Sequence, residues 1–373
     1  MTSQPLRKQI FSKVRKIVIK IGTNVLISRD GTLDMNVIDG ICRQTHELNE
    51  RGVRVIIVSS GAIGTGIKAL GLKTRPTLLP ELQAAAAVGQ NRLMVTFDEF
   101  LSRYGRHAGQ ILLTRQDLED RARFVNVGNT IRALLHMGAV PIINENDTVS
   151  VDEIKFGGND VLASQVVHVL KADALIFLST VDGLYDAAGN VIDVVQAVNE
   201  DVLRLDTGDK SSLGIGGMQT KLQSIQQVTE VGDPVAIING KLENAVLKVL
   251  DGEQIGTVFC AGSCRLSSRK RWMRFSVKAK GKITVDDGAV QALVSKNKSL
   301  LASGITGVEG KFSQGDMVEV TAPDGRPIAR GLTNYSSEEL EKIKGAKTSQ
   351  IAARLGYKYY DEVIHRDDLV TVG

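Results

Sequence analysis

Two lysines stand where a lysine is costly, and they are the first residues that could do chemistry. Lys20 interrupts Ile17-Val18-Ile19-Lys20-Ile21, an otherwise apolar run of the kind buried on both faces of a sheet. Burying an ammonium is unfavourable unless an anion meets it. The run is therefore either a central strand whose lysine has an anionic partner, or an edge strand whose lysine is exposed. Lys221 follows Gly214-Ile215-Gly216-Gly217-Met218-Gln219-Thr220, a glycine-rich turn that opens a helix. A cation in a first turn opposes the helix dipole, whereas the free N–H groups there suit a phosphate. Lys221 reads as functional, with a flexible loop as the alternative. Gly157-Gly158-Asn159-Asp160 leads into a second helix in the same way, and Gly22, directly after the Lys20 strand, would let a backbone approach phosphate closely.

Two polar clusters complete the candidate set. Ser59-Ser60-Gly61-Ala62 follows the apolar run Val53 to Val58, and Asn144-Glu145-Asn146-Asp147 follows Ala139 to Ile143. Ligands of open α/β sheets bind at the carboxyl ends of strands. Helix capping explains one Ser or Asp in such a place, but four polar residues in a row ask for more. The G-x-x-x-x-G-K-[ST] loop is missing, as are the H-R-D and D-F-G motifs of protein kinases. Gly64-x-Gly66-x-x-Ala69 has the spacing of a dinucleotide fingerprint, yet that motif must begin at the strand end and Ser59 to Ile63 intervene, so it carries little.

The elements that must position these residues follow from periodicity. Short β-branched runs at Arg15 to Ile21, Val53 to Val58, Gln110 to Leu113, Ala139 to Ile143, Ala174 to Leu178 and Pro234 to Ile238 alternate with helical-period segments such as Asn129 to Met137, Asp160 to Leu170 and Gln219 to Val231. Parallel strands need crossover helices, so this rhythm predicts an α/β unit with an open, mainly parallel sheet between helical layers. From about residue 281 the pattern changes to short strands and turns, including Met317 to Thr321, Asp324-Gly325 and Ile328 to Leu332, which predicts a small barrel; Ser336 and Glu339 have capping-box spacing. Arg265 to Lys282 holds eight Lys or Arg and no acid, leaving 38 basic against 42 acidic residues elsewhere. The expected organisation is 1–262, a basic linker over 263–280, and a mostly β domain over 281–373.

The chain has 373 residues, 43% hydrophobic and 24% charged, enough for two globular cores. No apolar run reaches the length of a membrane helix, and the basic N-terminus lacks the apolar segment of a secretory signal; a cytoplasmic, membrane-free protein is expected. Three cysteines cannot frame a disulfide fold, and the five histidines fall at no helical metal-ligand spacing, so no protein metal site is expected.

I-V-I-K-I-G-T, V-S-S-G-A, I-N-E-N-D, G-G-N-D and G-G-M-Q-T-K, in this order, resemble the amino acid kinase family, and within it the members that phosphorylate glutamate. The likeness runs over essentially the whole chain, since the tail resembles the PUA domain that many bacterial members append through a basic R-K-R-W segment, here Arg269 to Trp272. The resemblance implies a three-layer αβα sandwich that uses ATP and Mg2+ to phosphorylate the γ-carboxylate of L-glutamate, the first step of proline biosynthesis. Carried over by motif, Lys20 lies along the phosphoryl path, Lys221 steadies the ATP phosphates and Asp160 orients both. Ser60, Gly61, Asp147 and Asn159 would hold glutamate. Gly22, Ser179, Thr180, Ile215, Gly216, Gly217, Met218, Gln219 and Thr220 would meet the nucleotide, with Gly22, Gly61 and Gly217 offering N–H groups near the moving phosphoryl. It also implies a homo-oligomer, dimer or tetramer, feedback inhibition by proline and a functional link to glutamyl phosphate reductase.

The residues agree with that chemistry. Phosphoryl transfer needs charge neutralisation and in-line positioning, and a carboxylate acceptor, already ionised, needs no general base, in keeping with a set of lysines and glycines without histidine. One departure concerns the nucleotide: where the family often has Thr-Asp or Ser-Asp, this chain has Ser179-Thr180. Two alternatives remain at this point. One is another carboxylate or carbamate acceptor; the other is RNA binding through the basic segment around Trp272 and the tail, weighed against a solvated linker.

Overall fold

The computed structural model describes residues 4–28, 30–150, 158–205, 217–262, 268–275 and 277–372. By their contacts the residues fall into two units, Met1–Arg265 and Leu266–Gly373.

In the first unit the apolar runs become β1 (Lys16–Ile21), β2 (Arg54–Val58), β3 (Ala108–Leu113), β4 (Val140–Glu145), β5 (Ala174–Ser179), β6 (Val194–Val195), β7 (Val235–Asn239) and β8 (Thr257–Phe259). They form one sheet in the order β3-β4-β2-β1-β5-β7-β8-β6, every pairing parallel except β7 with β8. The helices are α1 (Gln4–Phe11), α2 (Thr23–Leu26), α3 (Met35–Glu50), α4 (Ala62–Ala69), α5 (Leu79–Ser102), α6 (Arg115–Glu119), α7 (Arg121–His136), α8 (Gly158–Leu170), α9 (Glu200–Leu203), α10 (Met218–Glu230) and α11 (Ala245–Leu250).

Strand alternation sorts the side chains into two faces. Ile17, Ile19 and Ile21 share a core with Ile38 and Ile41 of α3, Phe97 and Leu101 of α5, and Val249 of α11. Val18 and Lys20 point the other way, toward α8, which packs between α7 and α10. Every residue of β4 and β5 is buried, and full burial of a Val, Leu or Ile side chain stabilises by about 1.5–3 kcal/mol. The expected three-layer α/β architecture is thus the one observed. Arg7, from the basic N-terminus, is buried in α1, where it pairs with Asp193 and donates to the Ile255 carbonyl; burial lowers its pKa from the ordinary arginine value, against the opposing pull of Asp193.

The second unit contains α12 (Ser268–Phe275), β9 (Gly281–Val285), α13 (Asp287–Val294), β10 (Ile305–Gly310), β11 (Met317–Thr321), β12 (Pro327–Leu332), α14 (Ser337–Ile343), α15 (Ile351–Leu355) and β13 (Leu369–Thr371). Its strands run β10-β9-β11-β12-β13. The Ser336/Glu339 capping box forms as its spacing predicts. The basic segment differs from a plain linker. Over 268–275 it is a helix packed on β12 and β13 with Trp272 and Met273 buried, and the Arg330 guanidinium donates to the Arg274 carbonyl at 2.6 Å. Apolar Trp272 and Met273 within the charged run supply the buried stripe. No described helix is long and apolar enough to cross a membrane.

Candidate active site

β1 lies between β2 and β5, with Lys20 opposite Val58 on one side and Phe177 on the other, so Lys20 is on a central strand. Its partner is Asp160, the third residue of α8, with Nζ to Oδ1 at 2.6 Å and side-chain exposures of 12% and 4%. Three local facts make this pair: alternation aims Lys20 at α8, a carboxylate in a first helical turn is favoured by the dipole, and the desolvated ammonium requires an anion. The pair stands one residue from the carboxyl end of β1.

On the β2 and β4 side lies a chain of side-chain amides. The Asn159 Nδ2 group donates to the Ser59 carbonyl at 2.8 Å, to Asn144 Oδ1 at 2.9 Å and to Ser60 Oγ at 3.1 Å. Asn144, buried at the end of β4, also accepts from the Glu145 N–H at 2.9 Å and donates its own Nδ2 to Gln90 Oε1 at 2.8 Å. Ser60 and Asn159, named from sequence, are brought together. Asn144 and Gln90 were not assigned roles, although Asn144 sits in a cluster the sequence singles out. Asp147 is half-buried in the turn after β4.

Gly61 ends this side by adopting φ +94° as the N-cap of α4, a left-handed conformation that favours glycine. Behind it α4 and α5 cross at glycines: a Cβ on Gly66 would stand 1.7 Å from the Ala85 carbonyl oxygen, and one on Gly89 would stand 1.8 Å from that of Ala62. Gly66 of the apparent dinucleotide fingerprint thus serves helix packing. That crossing carries Gln90, the neighbour of Gly89, to β4. The signal available in sequence is the small-residue pair Ala85 and Gly89 at i, i+4 within a long apolar segment, with a glutamine beside it.

On the β5 and β7 side, Gly217 is the N-cap of α10 with no side-chain cap, Met218 is buried, Gln219 is exposed, and Thr220 and Lys221 are half-buried in the opening turns. α10 packs on α8, whose first turn holds Asp160. Ser179 is buried with its carbonyl accepting from the Gly240 N–H at 2.8 Å, while Thr180 is exposed. Asp182, two residues beyond the missing acid, accepts from Asn239 Nδ2 at 2.9 Å. Gly22 is a correction: its N–H donates to the Leu178 carbonyl at 3.0 Å, continuing the β1–β5 ladder, so that amide is engaged rather than open to phosphate. Gly157, Gly214, Ile215 and Gly216 lie outside the described residues. Among the described residues no group of three or more His, Cys, Asp or Glu converges to hold a metal.

A lysine–carboxylate pair in the middle of the sheet's carboxyl edge, polar amides on one side and a helix N-terminus on the other, is an arrangement for moving a phosphoryl group between two anions. The amino acid kinase family model matches residues 15–239, and the PUA domain model matches 281–355. The chain belongs to the amino acid kinase family. It is 46% identical over 363 residues to a glutamate 5-kinase of Caldanaerobacter subterraneus subsp. tengcongensis, covering 96% of this chain and 98% of that one. A glutamate 5-kinase of Geobacter sp. is 45% identical over 98% of this chain and all of its own, and that of Geobacter sulfurreducens is 44% identical with the same coverage. Amino acid kinases use ATP, and the nucleotide side has fitting parts in the uncapped start of α10 and Lys221.

Proposed function

We propose that this kinase transfers the γ-phosphoryl group of ATP to the γ-carboxylate of L-glutamate, giving L-glutamyl 5-phosphate and ADP, as glutamate 5-kinases do in the first step of proline biosynthesis. The observation that carries this reading is the buried Lys20–Asp160 pair between the amide cluster and the start of α10. A γ-carboxylate oxygen attacks in line, the new P–O bond forms as the bond to the β-phosphate bridging oxygen breaks, and that electron pair leaves on ADP. Lys20 and Lys221 offset the charge spread over the transferring group, and Asp160 holds Lys20 in place. Ser60, Gly61, Asp147 and Asn159 hold glutamate; Ser179, Thr180 and residues 215–221 hold the nucleotide. Mg2+ rides on nucleotide oxygens and water, the usual habit of that ion at phosphate sites.

The reading extends to a cytoplasmic homo-oligomer inhibited by proline, whose labile acyl phosphate is used by glutamyl phosphate reductase. The kinase unit occupies about 1–262 and the PUA unit 281–373. A regulatory or assembly role for the PUA unit is favoured over RNA binding, because Trp272, the one indole of the basic segment, is buried and not open to a base.

Lys20→Ala and Lys221→Ala test the reading. Each removes a donor to developing charge, a loss worth roughly 3–4 kcal/mol of transition-state stabilisation. Turnover should fall by about 10²–10³-fold in a steady-state ADP assay while circular dichroism stays that of the parent protein; near-normal activity in either variant would sink the assignment.

A further inference from the structure

We propose that Gln90 of α5 holds the α-carboxylate of the acceptor amino acid through its Nε2 N–H; the proposal rests on the glutamate reading above. The orientation of three amides is fixed from the backbone outward. The Glu145 N–H can only donate, so Asn144 turns Oδ1 toward it at 2.9 Å, which aims Asn144 Nδ2 at Gln90. Gln90 must therefore present Oε1, at 2.8 Å, and its Nε2 is left over. At the other end of the chain the Ser59 carbonyl can only accept, so Asn159 turns Nδ2 toward it at 2.8 Å and Oδ1 is left over.

Both leftover atoms are buried, and neither has a hydrogen-bond partner among the described residues. Gln90 is only 8% exposed. Buried polar groups are nearly always paired, so two orphan ends on one short chain of amides call for a ligand or ordered water. One end is a donor and the other an acceptor. An α-amino acid offers the complement, a carboxylate for Gln90 Nε2 and an ammonium for Asn159 Oδ1.

The order of strands gives the direction. Lys20 on β1 marks the phosphoryl end, Ser59 and Ser60 follow β2, Asn144 ends β4, and Gln90 reaches Asn144 from α5. With neighbouring strands about 4.8 Å apart, a glutamate laid along this edge places its γ-carboxylate near Lys20 and its α-carboxylate toward Gln90.

The test compares L-glutamate with γ-aminobutyrate, which is glutamate without its α-carboxylate, in the full-length protein and in Gln90→Glu. The variant keeps an oxygen for Asn144 Nδ2 and replaces only the free N–H. Loss of a hydrogen bond to a charged group should raise KM for glutamate by about tenfold or more, with KM for ATP within about twofold. The kcat/KM preference of the parent for glutamate over γ-aminobutyrate should shrink by the same factor. Should Gln90→Glu fail to fold by circular dichroism, Gln90→Met, also without the donor, is measured instead. A preference and a glutamate KM unchanged in the folded variant would overturn the proposal and leave Gln90 facing water, as a support for Asn144 alone. Absence of glutamate turnover in the parent protein would instead remove the function reading itself.

Discussion

On the β2 and β4 side of Lys20, Ser60, Asn144, Asn159 and Gln90 hold one another through bonds of 2.8–3.1 Å, and Asn144 and Gln90 are buried. On the β5 and β7 side, Thr180, Asp182 and Gln219 are exposed, and Asn239 joins Asp182 at 2.9 Å while accepting from the Lys241 N–H at 3.0 Å. On the proposed reading the acceptor side is set before any ligand arrives, while among the described residues the nucleotide side offers the start of α10 and exposed side chains. The difference suits the two substrates. A small amino acid must be told from its neighbours by buried polar groups that are left unpaired when the wrong molecule enters, whereas a nucleotide brings a large charged tail that backbone amides and lysines can grip.

The largest effect should come where the two sides meet. Asp160→Ala leaves the Lys20 ammonium buried without its partner and should cost about 3–5 kcal/mol of stability as well as all turnover, as read by urea unfolding beside the ADP assay. A loss below 1 kcal/mol would mean that Lys20 finds another anion and that the pair does not hold the centre together. Next is Gly66→Ala. Its Cβ would stand 1.7 Å from the Ala85 carbonyl, so α4 and α5 must separate, costing about 1–3 kcal/mol. Because α5 carries Gln90, KM should rise for glutamate and stay level for ATP; equal rises would erase the contrast between the sides. Asn239→Ala should do the reverse at a smaller scale. It removes two exposed hydrogen bonds, to Asp182 and from the Lys241 N–H, each worth about 1 kcal/mol or less, and should move KM for ATP with little change for glutamate.

The smallest effect is a control in the core beneath both sides. Burial pushes the Cys42 thiol up to about 12, so it carries no thiolate between pH 7 and 9 and should stay unlabelled by iodoacetamide in the folded protein. Mass spectrometry of tryptic peptides reads this directly. Labelling of Cys42 in the Gly66→Ala variant alone would mean that the damage spreads from the helix crossing through α5 into α3.

Most of the framework could be read from the sequence, because burial on both faces imprints itself on β1, β4 and β5 as mainly apolar runs, and Lys20 is the one charge inside the apolar stretch Ile17 to Ile21 of β1. For Lys20 the residues left two readings, a central strand with an anionic partner or an exposed edge strand, and Asp160 as its neighbour came from the family resemblance; the pairing of β1 with both β2 and β5 decides for the first. Gln90 was not legible. α5 is a 24-residue helix rich in alanine, with no strong polar face, so periodicity gives no stripe that separates a buried glutamine from a surface one. Nor could spacing reveal that the Gly22 amide completes the ladder to Leu178, since the same glycine would also suit an open phosphate contact. Within the basic segment, charge masked the two apolar residues that make 268–275 a packed helix.

The measurement closest to the central claim is acyl phosphate formation by the purified protein. ATP, magnesium and hydroxylamine are supplied with L-glutamate, and in parallel with aspartate, N-acetylglutamate, carbamate or UMP, with ADP and hydroxamate followed together. Glutamyl hydroxamate formed in step with ADP in the glutamate reaction alone is the predicted result. ADP release with one of the other acceptors and none with glutamate would contradict it, keeping the kinase chemistry at Lys20 while reassigning the amide side to a different substrate.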